Sequence, residues 1–153
     1  MVYVYLALGS NLGNKKQNIL TAIQKIEDRA GKIQALSSFF VTQAWGFTSD
    51  NNFLNAAACL KTTLTPHKLL FITQKIEQEI GRPPHNKNQW EDRLIDIDIL
   101  LYDDLILSHA NLIIPHPLMH HRKFVLQPLT EIAPDLLHPT LQKTMAELLL
   151  PLT

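Results

Sequence analysis

A single cysteine, Cys59, is all the chain holds. That excludes an intramolecular disulfide, and with it a zinc site of four cysteines or of two cysteines and two histidines. An excess of either charge is missing too: 14 Lys and Arg stand against 14 Asp and Glu. Bulk attraction to nucleic acid or to an anionic membrane therefore has no source, and phosphate chemistry needs a local cluster of cations. No uninterrupted apolar run reaches the ~18 residues of a membrane span. The apolar start, Met1-Val2-Tyr3-Val4-Tyr5-Leu6-Ala7-Leu8, carries no basic segment and runs straight into Gly9-Ser10-Asn11. It reads as a strand rather than a signal peptide. Gly9-Ser10-Asn11-Leu12-Gly13 lacks the following Gly-Lys-Ser/Thr of a phosphate-binding loop, and neither G-x-G-x-x-G nor H-E-x-x-H occurs.

What is present is ordinary for a folded protein: 153 residues, 46% hydrophobic and 18% charged. A single domain over 1–153 in the cytoplasm is the default expectation. Residues 2–8 read as a strand, with Val4, Leu6 and Leu8 on one face and Tyr3, Tyr5 and Ala7 on the other. Asn14 can cap a helix ending near Gly31, with Gln17 placed to complete a capping box. A second strand is expected over 33–42 and a third over 53–62. Thr65-Pro66 opens a second helix with the stripe Leu69, Ile72, Ile76 and Ile80, stopped by Gly81. The fourth strand, 95–102, puts Ile95, Ile97, Ile99 and Leu101 on one face and Asp96, Asp98, Leu100 and Tyr102 on the other. The order βαββαβ is the split-βαβ or ferredoxin-like order, an α+β fold whose antiparallel sheet carries helices on one face. Six of the nine prolines fall in the last third, where loops and additional C-terminal helices near 124–132 and 141–150 are expected.

Asp96-Ile97-Asp98 is the sharpest chemical signal. Residues two apart on a strand point the same way, so both carboxylates leave one face, where a hard divalent cation would relieve their repulsion. The same pair would equally suit the solvent side of an edge strand. Cations cluster nearby: Arg82 and Arg93 in the loop before the strand, and Arg122 and Lys123 after His116, His120 and His121. Arginine grips phosphate through paired hydrogen bonds, although any one such residue is more often plain surface. Asn55 shares a face with Phe53, an amide beside a ring that suits a flat heterocycle or, as well, a cross-strand hydrogen bond. Trp45 and Phe124 are further stacking candidates, and ordinary packing would also account for them. His116 could donate to a phosphate, and Cys59 reads as a packing residue.

Six ordered blocks, together, resemble one family. They are Ala7-Leu8-Gly9-Ser10-Asn11-Leu12-Gly13; Phe53-Leu54-Asn55-Ala56-Ala57; Gln74-Lys75-Ile76-Glu77 with Gly81-Arg82; Arg93-Leu94-Ile95-Asp96-Ile97-Asp98-Ile99-Leu100; Ile114-Pro115-His116-Pro117; and Arg122-Lys123-Phe124-Val125-Leu126-Gln127-Pro128-Leu129 with Glu131-Ile132-Ala133-Pro134. This pattern resembles the 6-hydroxymethyl-7,8-dihydropterin pyrophosphokinases of folate biosynthesis. The resemblance implies a Mg²⁺-dependent transfer of pyrophosphate from ATP to the pterin alcohol, releasing AMP. It implies two Mg²⁺ ions on Asp96 and Asp98, with Arg82 and Arg93 assisting catalysis. Thr42, Gln43, Trp45, Phe53, Asn55, Asp96 and Phe124 would meet the pterin. Gln74, Glu77, Trp90, Arg93, Ile99, His116 and Arg122 would meet ATP. The partners would be these two small molecules, with no nucleic acid or membrane, and the chain a monomer. Loops 43–52 and 81–94 would order over the substrates. The chain departs from the family pattern at Glu91-Asp92, Pro84, Pro117, Asn111 and Ile113. A non-catalytic ferredoxin-like module, a kinase with another acceptor and a poorly active family member are the rival readings.

Overall fold

The computed structural model describes residues 1–43, 52–81 and 93–153. Strand β1 (Val2–Ser10) runs two residues past the expected end, because Gly9 and Ser10 still pair with the strand beside them. Helix α1 (Lys15–Arg29) starts where Asn14 Oδ1 accepts the Gln17 N–H at 3.1 Å. The reciprocal half of the expected capping box is not made: Gln17 Nε2 donates to Thr21 Oγ1 at 3.2 Å instead. Residues 33–42 are not one strand but two, β2 (Gly31–Leu36) and β3 (Phe40–Thr42). The break is at Ser37. Its N–H donates to Ala57 O at 2.9 Å while its hydroxyl accepts the Ala57 N–H at 2.8 Å, so a side chain replaces a ladder carbonyl. Strand β4 (Phe53–Thr62) has the expected bounds, and α2 (Pro66–Ile80) is capped by Thr65 with Pro66 in its first turn. Strand β5 (Asp96–Tyr102) completes the main sheet.

The strand order is β2-β4-β1-β5, all pairs antiparallel, with β3 also pairing with β4. Each βαβ crossover thus skips one strand position, filled by a strand of the other unit, as the ferredoxin-like order requires. Helices α1 and α2 cover one face. Their Ile19, Ala22, Ile26, Leu69 and Ile76 pack on Val4, Leu6, Leu8, Ala58 and Leu60, all fully or almost fully buried. Each large aliphatic side chain buried there stabilises the fold by roughly 1.5–3 kcal/mol.

The register slips twice, at Gln34 of β2, which is extra opposite β4, and in β5. Tyr5 pairs with Leu101 and Leu6 with Ile99, so Leu100 is an extra residue opposite β1. A bulge of this kind turns the residues beyond it to the opposite face. Leu101 joins Leu100 in the second core and not Ile95, Ile97 and Ile99 in the first, while Tyr102 turns to the first core and donates to Leu64 O at 2.6 Å.

The C-terminal third holds more than loops and short helices. Strands β6 (Leu107–His109) and β7 (Leu112–Ile114) form a hairpin. A 3₁₀ turn over Met119–His121 leads into α3 (Lys123–Ile132), followed by α4 (Met145–Leu149). Met119, Val125, Leu126, Leu129, Met145 and Leu148 pack on Ala57, Leu100 and Leu101, so this segment covers the second face of the sheet. Cys59 is buried, and burial pushes its thiol up, in keeping with a packing role. Among the described residues no helix is long and apolar enough to cross a membrane.

Candidate active site

The site is built by register. Gly9 of β1 lies between Asn55 of β4 and Asp96 of β5, and two residues along Ala7 lies between Ala57 and Asp98. Cα partners share a face, and Ala57 and Ala7 pack with the second core, so Asn55, Asp96 and Asp98 look out on the side of α3. Asn55 and Asp96 are two strand spacings apart, about 10 Å, and Asp96 and Asp98 about 7 Å along one strand. Gly9 leaves the space between Asn55 and Asp96 empty of side chain. A Cβ there would sit 3.0 Å from Asn55 Oδ1 and 3.6 Å from the Phe53 ring. Asn55 is buried, and its Nδ2 donates to Thr42 Oγ1 at 2.6 Å, which fixes how the amide faces the gap. Phe53 is half-buried at the start of β4, and Phe124, in the first turn of α3, packs against the second core. Gln43 is exposed just after Thr42.

Two buried arginines approach the carboxylates. Arg93 has its Nη1 3.9 Å from Asp96 Oδ1. Arg122 precedes α3, and burial pulls its guanidinium below the ordinary value while the charges of Asp98 and then Asp96 pull it back up. Both carboxylates therefore act on one buried cation. The same guanidinium carbon lies 5.6 Å from the centroid of the Phe124 ring, within cation–π range. His116 reaches β5 through its backbone, donating to Leu100 O at 2.9 Å. Its Nδ1 accepts the Leu118 N–H at 3.2 Å, which puts the proton of a neutral ring on Nε2.

Helix α2 supplies the rest. Glu77 is buried, and its Oε2 accepts the Ile97 N–H at 2.7 Å, gripping β5 between the two aspartates. Gln74 is half-buried one turn earlier, and the Ile99 side chain belongs to the first core. Trp45, Arg82, Trp90, Pro84 and Glu91-Asp92 lie outside the described residues, as do most of the two loops expected to order over the substrates. Two residues of the site were missed by the sequence reading, which leaves Gly9 and Asn11 in a turn. The usable signal for Gly9 was parity: it continues the Tyr3, Tyr5, Ala7 face. Asn11 gave none, since its partner is a backbone 82 positions away.

Fold and site define a ferredoxin-like α+β enzyme with a carboxylate pair, two buried arginines and an amide beside a side-chain gap, a set suited to phosphoryl chemistry on a small flat molecule. The chain belongs to the 7,8-dihydro-6-hydroxymethylpterin-pyrophosphokinase (HPPK) family, whose model matches residues 5–134. The 2-amino-4-hydroxy-6-hydroxymethyldihydropteridine pyrophosphokinase of Aquifex aeolicus is 43% identical over 147 residues, 96% of this chain and 90% of that protein. The protein of the same name from Porphyromonas gingivalis is 44% identical over 141 residues, 91% of this chain and 95% of that one. The folic acid synthesis protein FOL1 of Dictyostelium discoideum is 44% identical over 141 residues, 92% of this chain but 21% of that protein. Wild-type Plasmodium falciparum HPPK-DHPS, solved with SDX-DHP, has a TM-score of 0.80 at 18% identity, over 99% of this chain and 44% of that chain. The chain thus spans less than half of that solved chain, and at this identity the likeness is one of fold.

Proposed function

We infer that the chain carries out the folate-pathway step of its family, moving pyrophosphate from ATP to 6-hydroxymethyl-7,8-dihydropterin to give the pterin diphosphate and AMP. The observation that carries this reading is the register row Asn55–Gly9–Asp96, which sets an amide and a carboxylate on either side of a gap, with Asp98 next along the strand. We propose that the reaction depends on two Mg²⁺ ions held by Asp96 and Asp98. The donor set fits: two carboxylates on one face suit an ion that takes its remaining ligands from water and substrate phosphates. When bound, Mg²⁺ would neutralise phosphate charge and lower the pKa of the attacking alcohol.

The chain's own residues do the rest by placement and charge. Asn55 reads the edge of the pterin from the Gly9 gap, between Phe53 and Phe124, with Thr42 orienting the amide, and Gln43 and Trp45 are the further pterin contacts of this reading. The bond forms between the hydroxymethyl oxygen and the β-phosphorus, and the bond from that phosphorus to the α-phosphate oxygen breaks. Placement and charge leave little work for a dedicated general base, and Asp96, in the pterin row, is the candidate acceptor of the hydroxyl proton. Arg93 and Arg122, with Arg82, stabilise the charge that builds on phosphoryl oxygens. His116 donates from Nε2 to a phosphate. Gln74, Glu77, Trp90 and the backbone of Ile99 take the nucleotide side. The chain acts as one domain and as a monomer in the cytoplasm.

The test is AMP release from ATP and Mg²⁺ with and without the pterin. Pterin-dependent AMP is expected, and ADP in its place would mean an ordinary kinase with another acceptor. Asp98→Asn should fold with a near-normal Tm and lose about three orders of magnitude in kcat, the scale of removing a preorganised charge at the reacting phosphate. Near-normal turnover with Mg²⁺ would sink the metal assignment.

A further inference from the structure

We propose that Asn11 is a positioning residue that fixes Arg93 beside Asp96, an inference that rests on the pyrophosphokinase reading above. Asn11 is the first residue beyond β1 and is completely buried. Its Oδ1 accepts the Arg93 N–H at 2.6 Å, and its own N–H donates to Arg93 O at 2.9 Å. One asparagine thus closes two hydrogen bonds on the main chain of one arginine. The turn that carries it is braced in its own right: Asn18 Nδ2 donates to Leu12 O at 3.0 Å and to Ser10 Oγ at 3.3 Å. The residue after Arg93 is held as well. A Cβ on Gly13 would come within 3.3 Å of one Leu94 methyl, and a Cβ on Gly81 within 2.6 Å of the other, so Leu94 is seated between two glycines.

Arg93 is therefore tied by its backbone to the end of β1, the same strand whose Gly9 pairs with Asp96. A charge held in place before the reaction stabilises developing negative charge without reorganising. With the tie removed, Arg93 keeps its guanidinium but not its place. Asparagine suits the task because it is short, neutral and offers a carbonyl acceptor; alanine offers none, and aspartate keeps the acceptor while adding a buried charge. The role assigned to Asn11 is exerted through the main chain of Arg93 and not on a reacting atom.

A double-mutant cycle tests it. Asn11→Ala should lower kcat for pterin-dependent AMP release by about 10- to 100-fold, the usual cost of losing a group that orients a working one. It should leave pterin affinity unchanged by calorimetry, and Asn11→Asp should recover part of the rate. In an Arg93→Ala background Asn11→Ala should cost nothing more, because the two act as one unit. Full additivity of the two losses, or a fall in pterin affinity as large as the fall in kcat, would overturn the proposal, as would wild-type turnover in Asn11→Ala. If Asn11→Ala does not fold, Asn11→Ser, whose hydroxyl is too short to reach, carries the same cycle. If the wild type itself releases no AMP, the functional reading fails. The Asn11 inference is then decided by the same cycle on the affinity for Mg²⁺ with α,β-methylene-ATP: coupling upholds it and additivity overturns it.

Discussion

At Gly9 one absent side chain makes room between Asn55 and Asp96. A methyl group added there would sit 3.0 Å from Asn55 Oδ1, closer than ordinary contact, and the amide is tied to Thr42 and cannot swing aside freely. Overpacking of this kind costs about 1–3 kcal/mol, and each 1.4 kcal/mol is tenfold in affinity. Gly9→Ala should therefore weaken pterin binding by roughly tenfold or more while ATP affinity stays the same. Titration of each substrate separately checks this, and an unchanged pterin affinity would show that the gap is not the pterin floor. The strand residues of the site were legible within each strand, where alternation put Asp96 and Asp98 on one face of β5 and Asn55 with Phe53 on one face of β4. That these are the same side of the sheet comes from the register through Gly9 and Ala7, which spacing does not give. Arg122 and Phe124 could not be placed by spacing at all. They reach the site through α3, and spacing along the chain says nothing about which face a distant helix covers.

Elements were legible where one local rule decided them and obscure where two competed. Thr65-Pro66 and Gly81 bound α2 as expected, since cap, N-terminal proline and stop agree. The Asn14 and Gln17 capping box fails because Gln17 has a second partner in Thr21, whereas Thr144 and Glu147 do complete one at the start of α4. The β6–β7 hairpin lies in a stretch that prolines made look irregular, and the bulge at Leu100 leaves no mark in a run of aliphatic residues. At the far end of the sheet from the site, α1 hands over to β2 through Gly31. A Cβ on Gly31 would run into the Lys61 carbonyl, which is held in the β2–β4 ladder. Gly31→Ala should lower stability by about 2–3 kcal/mol, a Tm loss of roughly 5–10 °C in a chain of this length. Since Gly31 pairs with Thr62 and the site sits at the Phe53 end of β4, kcat at 25 °C should not change. A thermal melt beside a turnover assay separates the two effects, and a lost kcat in a well-folded variant would contradict this division of the sheet.

The molecule as a whole has two cores, one on each face of the sheet, and the second is closed by the segment that also delivers Arg122 and Phe124 to the site. That segment contains a histidine cluster. The His120 and His121 rings lie 3.9 Å apart by centroid, and the His120 and His138 rings 6.1 Å. His138 Nδ1 accepts the N–H groups of Thr140 and Leu141, which requires an unprotonated nitrogen. Burial lowers the pKa of His120, with His121 adding to it, and burial lowers that of His138, with His120 adding to it. A histidine held below its unfolded value of about 6.5 binds fewer protons in the folded state. Stability is then complete above that value and falls as pH drops through it, levelling only below the folded values. Two depressed carboxylates act elsewhere on the pH axis. Glu79, bridging Arg29 and Lys25, is lowered to about 2, and Glu147 is lowered by its cap at Thr144. Both are ionised in folded and unfolded chains above about pH 5.5, so their contribution is lost only in stronger acid. The wild type should melt a few degrees lower at about pH 5.5 than at about pH 7.5. His120→Gln with His138→Asn, which keeps an acceptor for Thr140 and Leu141, should flatten that dependence without lowering the melting point at neutral pH by as much. An unchanged slope in the double variant would place the acid sensitivity outside this cluster. Because the same segment positions Arg122, the pH at which it loosens should also be where ATP affinity begins to fall.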